Sequence, residues 1–385
     1  MSGDLHKVCD PLLPSAQEIL AYLEVPDRNR WYANRGELVR GLETRLSEAL
    51  GADHDVVTST ASGTAALEAS ILATAGSPQP ERPLALLPSY TFAATALAVE
   101  RCGYTPYFAD VDPGTWSLDP RALAAHPALS QVGVIVVVAP YGRLPDLAAF
   151  EALRAATGIP VVVDAAAAFE AVVATPEAIT STIPVCLSFH ATKTFSTGEG
   201  GAVIWDLQAG RERISQATNF GFLNSRECRS AGFNGKMSEY HAAVGHAMLD
   251  MFDRRARAYA AVSDLYRAAF QAEGVPGQLH VSPEVSSAYA LLEVASGAAA
   301  DPLLNGLDAA AFGWRRWYEH GLHEMSHFAE CPQDPLPVTA DLGLRLIGLP
   351  MAPDLTEDRI AAIAAHLARA TRDRPDAPAA VRSAS

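Results

Sequence analysis

The chain is poor in lysine. Its 385 residues carry 29 Lys plus Arg, yet only Lys7, Lys193 and Lys236 are lysines. Arginine forms no Schiff base at neutral pH, so chemistry that needs a primary amine has three side chains to draw on. Basic residues are also outnumbered: 29 against 44 acidic ones leaves a net charge of −15. That balance argues against a nucleic-acid-binding surface and against docking on an anionic membrane. It leaves room for a small anionic ligand held by a local cluster of donors. Cysteines are few, odd in number and scattered (Cys9, Cys102, Cys186, Cys228, Cys331), with no CxxC pair. They fit free thiols in a reducing compartment better than a disulfide framework or a zinc site. No stretch approaches 18 apolar residues, and Met1 to Lys7 lacks the apolar core of a leader peptide. A soluble, cytoplasmic protein without a metal centre is expected.

What is present suits a large core: 49% of residues are hydrophobic and 19% charged. The length implies two to three domains, or one large and one small. Residues 1–34 are mixed, with a short helix over 15–23. From residue 35 onward, short apolar runs alternate with helical stripes, the pattern of an α/β fold. Strands are expected over 56–58, 84–87, 106–110, 133–139, 160–164, 185–189 and 202–205. The run Val134 to Val138 has no polar alternation and reads as a central parallel strand buried on both faces. Helix resumes near Ser238, and a long helix over 251–271 is expected to bridge to a smaller C-terminal unit. That unit is compositionally plain, ends in a helix over 356–370, and is followed by a tail at 371–385 that reads as disordered.

Lys193 stands out among the three lysines. It closes Ser188-Phe189-His190-Ala191-Thr192-Lys193 and is followed by Thr197-Gly198-Glu199-Gly200-Gly201, a glycine-rich turn between two apolar strands. Burial lowers a lysine's pKa and frees its amine as a nucleophile, which is what a Schiff base requires. The plainer alternative is a surface lysine capping a turn. Lys7 lies in a polar segment, and Lys236 sits in a loop-like stretch between Gly235 and Met237.

Other stretches bear on the choice. Ser62-Gly63-Thr64 joins a strand to a helix. Its free N–H groups suit a phosphate, and they equally suit an ordinary N-cap. Phe92 follows a strand's carboxyl end, where α/β sheets bind ligands; it stacks on a planar ring or packs in the core. Asp164 ends a strand of three valines; it keeps a pyridine nitrogen protonated or caps the next helix. Arg28-Asn29-Arg30-Trp31-Tyr32 is core-edge packing or a lip over an anionic substrate. His323, after Gly321 and Leu322, is structural or catalytic.

Taken in order, a phosphate-type turn, an aromatic, an acid and a lysine 29 residues beyond the acid form the set that a pyridoxal phosphate (PLP) site requires. Here the chain resembles the PLP-dependent, fold-type I nucleotide-sugar aminotransferases of the DegT/StrS group, over roughly residues 30–370. The motifs that carry the resemblance are Ser62-Gly63-Thr64-Ala65-Ala66-Leu67, Pro88-Ser89-Tyr90-Thr91-Phe92, Val163-Asp164-Ala165-Ala166, the Lys193 turn, residues 232–239 and Leu349-Pro350-Met351. It implies a large PLP-binding domain over 35–250, with a mixed, mostly parallel sheet between helices, and a smaller C-terminal α+β domain over 251–370.

It also implies roles. Lys193 carries the Schiff base and shuttles the proton, Asp164 holds the pyridine nitrogen, and Phe92 stacks on the ring. Gly63, Thr64 and Ser188 bind the phosphate. Asn234 reaches the neighbour's phosphate across a homodimer with shared sites. L-glutamate is the implied donor and a nucleotide-linked keto-sugar the acceptor, in a ping-pong scheme through pyridoxamine phosphate. Arg30, Arg226, Arg229 and Lys236 are candidates to meet the substrate diphosphate, with a solvated face as the alternative for each. His190 and His323 join the substrate-binding set.

One departure stands out. Many members place Gln or His two residues after the Asp-Ala pair, against the ring hydroxyl; this chain has Ala167 there. The stretches 219–222 and 232–239 are similar to members that aminate dTDP-4-keto-6-deoxyglucose at C4. The alternatives are a C3- or cyclitol-aminating relative, a PLP-dependent sugar dehydratase, or a PLP-fold regulator without turnover. Arg-rich, Lys-poor usage hints at a GC-rich bacterial genome and a pathway for an unusual deoxysugar.

Overall fold

The apolar run at 133–138 needs cover on both faces, and the computed structural model, which describes residues 7–179 and 182–372, supplies it. The run forms β4 (Val132–Val138) in a seven-stranded sheet. Its partners are β1 (Val57–Thr60), β2 (Leu84–Pro88), β3 (Thr105–Ala109), β5 (Val161–Asp164), β6 (Val185–Ser188) and β7 (Gly201–Ile204), in the order β1-β7-β6-β5-β4-β2-β3. Strands β2 to β6 run parallel, whereas β7 is antiparallel to both β6 and β1. β1 therefore points the same way as β6. The carboxyl ends of β1, β2, β4, β5 and β6 share one edge of the sheet, and every strand-following motif singled out above lies there.

Side chains alternate between two helix layers, as the period of two demands. Ile135, Val137, Val161, Val163, Val185 and Leu187 pack toward α2 (Glu37–Ala49), and toward α6 (Leu147–Thr157) and α7 (Phe169–Ala174) further along the chain. Val134, Val136, Val162, Cys186 and Val203 pack toward α3 (Gly63–Thr74) and α4 (Ala93–Arg101). α3 is apolar on nearly every side because it is wedged against β5, β6 and β7 with α4 and α8 (Gln208–Ala217) over it.

A second sheet of β8 (Gln278–His280), β9 (Ala290–Glu293) and β10 (Leu346–Leu349) is antiparallel throughout. It packs with α10 (Gly297–Ala309) and α12 (Glu357–Arg372), while α11 (Pro337–Arg345) leads into β10 and α5 (Pro120–Ala124) is a short turn of the first unit. Among the described residues no helix is long and apolar enough to cross a membrane.

Several sequence expectations change. The helix read over 15–23 is α1 (Ala16–Asn29). It starts in a capping box of Ser15 and Glu18 and continues through Pro26, which lies in its last turn and removes only one backbone bond. The two helices read near 238 and over 251–271 are one 35-residue helix, α9 (Glu239–Glu273). The last helix reaches Arg372, so residues 371 and 372 are helical; the rest of the tail read as disordered, 373–385, lies outside the described residues.

Where α9 begins, Glu239 caps another helix. Gly36 offers α2 no capping side chain, and the Glu239 carboxylate accepts from Gly36 N at 2.7 Å and Leu38 N at 2.8 Å. A Cβ on residue 36 would lie 2.6 Å from Glu239 Cδ, so a larger residue there would push the capping carboxylate aside.

Candidate active site

The turn after β1 makes an anion seat. Ser62 N-caps α3 through Ala65 N, which leaves the first N–H groups of a twelve-residue helix, at Gly63 and Thr64, facing outward. The seat is close-packed. A Cβ on Gly63 would lie 2.7 Å from Ser188 Cβ, and one on Gly201 would lie 2.6 Å from the Ser62 carbonyl carbon. Gly63, Thr64 and Ser188 thus meet at one point, although β7 separates their strands in the sheet order.

Asp164, at the end of β5, is buried. Thr95 Oγ1 donates to its Oδ2 at 2.7 Å, and Ala166 N donates to Oδ1 at 3.2 Å. Thr91 and Thr95 hydroxyls lie 2.8 Å apart. Since Thr95 gives its one proton to Asp164, Thr91 is the donor of that pair. Burial pushes the Asp164 carboxyl above its ordinary range, against the pull of Thr95, Ala166 and the charge of Lys193. Among the described residues no cation stands within ion-pair distance of this carboxylate, and a protonated ring nitrogen would be one. Phe92 lies four residues from Pro88 at the end of β2 and is 66% exposed, while Tyr90 and Thr91 before it are 1% exposed. The core reading of Phe92 is therefore wrong; its ring is presented to the outside of the sheet edge.

Lys193 follows β6 in a turn closed by Lys193 N to His190 O (2.8 Å) and Ala191 N to Gly198 O (2.9 Å). Its amine does not cap that turn. It is half-buried and donates to Tyr289 Oη at 3.3 Å. Burial lowers its pKa from the usual 10.5, opposed by the negative charge of Asp164.

The other sequence candidates scatter. His323 is brought to the same edge: its backbone N–H donates to Ser89 Oγ at 3.2 Å, and Ser89 Oγ lies 2.8 Å from its Nδ1. Burial lowers the His323 pKa, and its Nε2 lies 3.5 Å from the Glu324 carboxylate. His190 is exposed, with Nδ1 2.9 Å from Thr192 Oγ1. Arg30 is exposed at the end of α1 with a left-handed backbone (φ 51°). Trp31 and Tyr32 beside it are half exposed and join no core cluster, and Tyr32 stacks on Tyr240 at 5.8 Å. Arg229 pairs with Glu227 at 2.7 Å on the surface. Lys236 Nζ donates to Asn234 Oδ1 at 2.8 Å and lies 4.6 Å from the Phe220 ring centre. Lys236 and Arg226 line a cavity of about 680 Å³ together with Arg35, Arg211 and Phe220. Lys193, Asp164, Ser188 and Phe92 are not in its wall. The cavity is therefore a separate surface, on the outer side of β1.

Sequence reasoning missed three residues of the site. Thr95 is one helical turn past Thr91 and was legible only as part of a helix. Tyr289 comes from the plain C-terminal region, just before β9. Cys9, read as an incidental thiol, is held by a β-bridge to Met351 near Lys193 and Arg315; burial raises its pKa against both positive charges. None of the three carries a local motif; each is close to Lys193 or Asp164 only through folding.

These residues fit PLP. The Gly63–Thr64–Ser188 seat suits the phosphate, the presented Phe92 ring suits a face of the pyridine, Asp164 suits its nitrogen, and Lys193 supplies an amine. Known proteins agree. The model of the DegT/DnrJ/EryC1/StrS aminotransferase family matches residues 15–368. Protein Rv3402c of Mycobacterium tuberculosis is 31% identical, over 94% of this chain and 89% of its own. The dTDP-4-amino-4,6-dideoxy-D-glucose transaminase of Shigella dysenteriae is 32% identical, over 64% of this chain and 65% of its own. The crystal structure of DesI in the presence of its TDP-sugar product superposes with a TM-score of 0.80 at 29% identity, covering 96% of this chain and 94% of that one. The chain belongs to the DegT/DnrJ/EryC1/StrS aminotransferase family and is a PLP-dependent aminotransferase of fold type I.

Proposed function

We propose that this aminotransferase moves an amino group from L-glutamate to C4 of a nucleotide-linked 4-keto-6-deoxysugar of the dTDP-4-keto-6-deoxyglucose class. The donor product leaves before the acceptor enters. The observation that carries the reading is the convergence, on one sheet edge, of the Lys193 amine, the buried Asp164 and the Gly63–Ser188 seat. The C4 position is supported by the name of the relative from Shigella dysenteriae, and a thymidine-diphosphate sugar as substrate by DesI with its TDP-sugar product.

PLP, when bound, supplies the electron sink that makes a C–H bond beside the amino group acidic. The chain's residues do the rest. The α3 N-terminus and Ser188 hold the phosphate dianion, so the helix dipole contributes to binding. Asp164, anchored by Thr95, keeps a proton on the ring nitrogen and so keeps the sink strong. Lys193, with its pKa lowered by burial, takes and returns a proton at Nζ. Phe92 fixes the ring plane. His323, held beside Ser89 at the same edge, is a candidate to contact the substrate.

The reading includes a homodimer in which Asn234 crosses to the partner's phosphate. The exposure of Asn234 and of Phe220 beside it supports this. Arg226 and Lys236, which line the cavity outside β1, then belong to the nucleotide side of a shared site; Arg30, Arg229 and His190 are its outer candidates. The division into a PLP-binding unit up to about residue 250 and a smaller unit up to about 370 is supported by α9. Its residues Ala242 to Met248 join the core of the first sheet, and Tyr259 to Phe270 join that of the second. A cytoplasmic location is supported by five free thiols.

The second reading is amination at C3. The UDP-2-acetamido-2-deoxy-3-oxo-D-glucuronate aminotransferase of Pseudomonas aeruginosa favours it, at 28% identity over 86% of this chain and 90% of its own. The PLP-loaded protein, treated with L-glutamate and stripped of small molecules, is given dTDP-4-keto-6-deoxyglucose or a UDP-3-keto sugar, and products are read by mass spectrometry. Amino sugar from the 4-keto substrate supports the proposal. Amino sugar from the 3-keto substrate alone transfers it to C3, and none from either overturns the substrate class.

A further inference from the structure

Among the described residues the Lys193 amine has one hydrogen-bond partner, the hydroxyl of Tyr289, and that hydroxyl has no other. Tyr289 comes from the smaller sheet, 96 residues away in sequence, and is 8% exposed. Its ring is caged edge-on by Tyr141 and Trp317, each 5.3 Å away between centres. The loop that carries it is fastened to the larger unit at two points. Ser286 N donates to Tyr141 O at 2.8 Å, and Ser287 N donates to Glu170 Oε2 at 2.8 Å. Tyr289 N then donates to Ser286 O at 2.9 Å. Gly142, with φ 89°, makes room for this loop: a Cβ there would lie 2.8 Å from Ser286 Cβ and 2.7 Å from Ala167 O. A placement fixed this way is built to hold one atom, the Tyr289 hydroxyl, against Lys193.

We propose that Tyr289 is the positioning residue for Lys193: its hydroxyl holds the amine whenever that amine is not bonded to the cofactor. The proposal rests on the reading of Lys193 as the Schiff-base lysine. A hydroxyl suits this duty because it serves both charge states. Its oxygen accepts an N–H from the ammonium, and its proton is given to the lone pair of the neutral amine. Burial raises the Tyr289 pKa far above neutrality, so the proton is always there to give. A lysine set free by the incoming amino donor has four rotatable bonds. Tethering it keeps Nζ in place as the proton carrier at little entropic cost.

The test uses Tyr289→Phe, which keeps the ring in its cage. In PLP-free protein, Lys193 is labelled with acetic anhydride across pH and read by peptide mass spectrometry, with Lys236 as internal control. Hydrogen bonds to charged groups are the stronger ones, so loss of the hydroxyl lowers the Lys193 midpoint, by about one pH unit, and leaves Lys236 unmoved. In PLP-loaded protein the single-turnover reaction with L-glutamate slows about tenfold or more, with PLP affinity within about threefold. An unchanged Lys193 midpoint overturns the proposal. If Tyr289→Phe fails to fold, Glu170→Ala loosens the same loop from outside; a smaller shift in the same direction supports the proposal and an unmoved midpoint overturns it. The two readings fail separately. Wild-type protein inert to L-glutamate, with the midpoint shift intact, removes the donor and leaves Tyr289's role standing. Borohydride fixing PLP on Lys7 or Lys236 removes the underlying reading itself.

Discussion

Thr95 donates to Asp164 at 2.7 Å, and both side chains are buried at the carboxyl edge of the large sheet. The bond opposes the effect of burial and keeps Asp164 closer to ionised than its surroundings favour. Thr95→Val keeps the shape and removes the donor. The Asp164 pKa then rises further, PLP binds more weakly, and kcat falls about tenfold, the equivalent of about one pKa unit. Equal kcat and equal PLP affinity in the variant would show that Thr95 is packing only.

Asp164 itself should trade stability for activity. Its folded pKa is raised above the ordinary 3.8, so the folded chain binds more protons than the unfolded one between those values. Stability is therefore lost as pH rises through that window and stays lost above it. Asp164→Asn has no such penalty. In PLP-free protein the Tm advantage of Asp164→Asn should be near zero at the acid end and reach about 2 °C at neutral pH. Transaminase activity should fall roughly 10²- to 10³-fold, the size of a lost preorganised electrostatic contact. A variant less stable than wild type at neutral pH would contradict the sign.

Gly63→Ala separates the phosphate seat from folding. Alanine is the better helix former by about 0.5–1 kcal/mol, so α3 should survive. The added Cβ would lie 2.7 Å from Ser188 Cβ and crowd the seat. PLP affinity, followed by titration of visible absorbance, should fall about tenfold or more while the far-ultraviolet circular dichroism stays native. Unchanged affinity would move the phosphate elsewhere.

The elements of the large sheet were legible because parallel strands buried on both faces are continuous apolar runs, and β4 is the plainest of them. Asp164, Phe92 and Lys193 were legible for a related reason: Asp164 ends such a run, and Phe92 and Lys193 come four and five residues after β2 and β6, so chain order alone puts them at one edge. The small sheet was not. α9 hid its junction because helix-forming residues run unbroken past residue 250. Tyr289 was illegible for the same reason as Thr95. Its importance lies in a contact 96 residues away, which no local pattern encodes. The surface cations were the weakest inference. Arg229 pairs with Glu227 and Arg30 is exposed, so charge type by itself did not mark a site.

Sharing of the site between two chains has a clean signature. On the proposed dimer, a Lys193→Ala chain and an Asn234→Ala chain should each lose most activity when alone. In a mixed dimer with Asn234 acting across the interface, one of the two sites has both native residues, and activity returns on mixing. With Asn234 acting within its own chain no mixed site is whole, and mixing restores nothing.

The most direct measurement is the visible spectrum of the PLP-loaded protein before and after L-glutamate, in wild type and Lys193→Ala. Wild type should show the band of a lysine-bound cofactor, lose it on adding L-glutamate and regain it on adding a keto-sugar acceptor. Lys193→Ala should show no such band and no turnover. A wild-type protein without the band, or a Lys193→Ala protein that still turns over, would contradict the assignment of Lys193 as the centre of the chemistry.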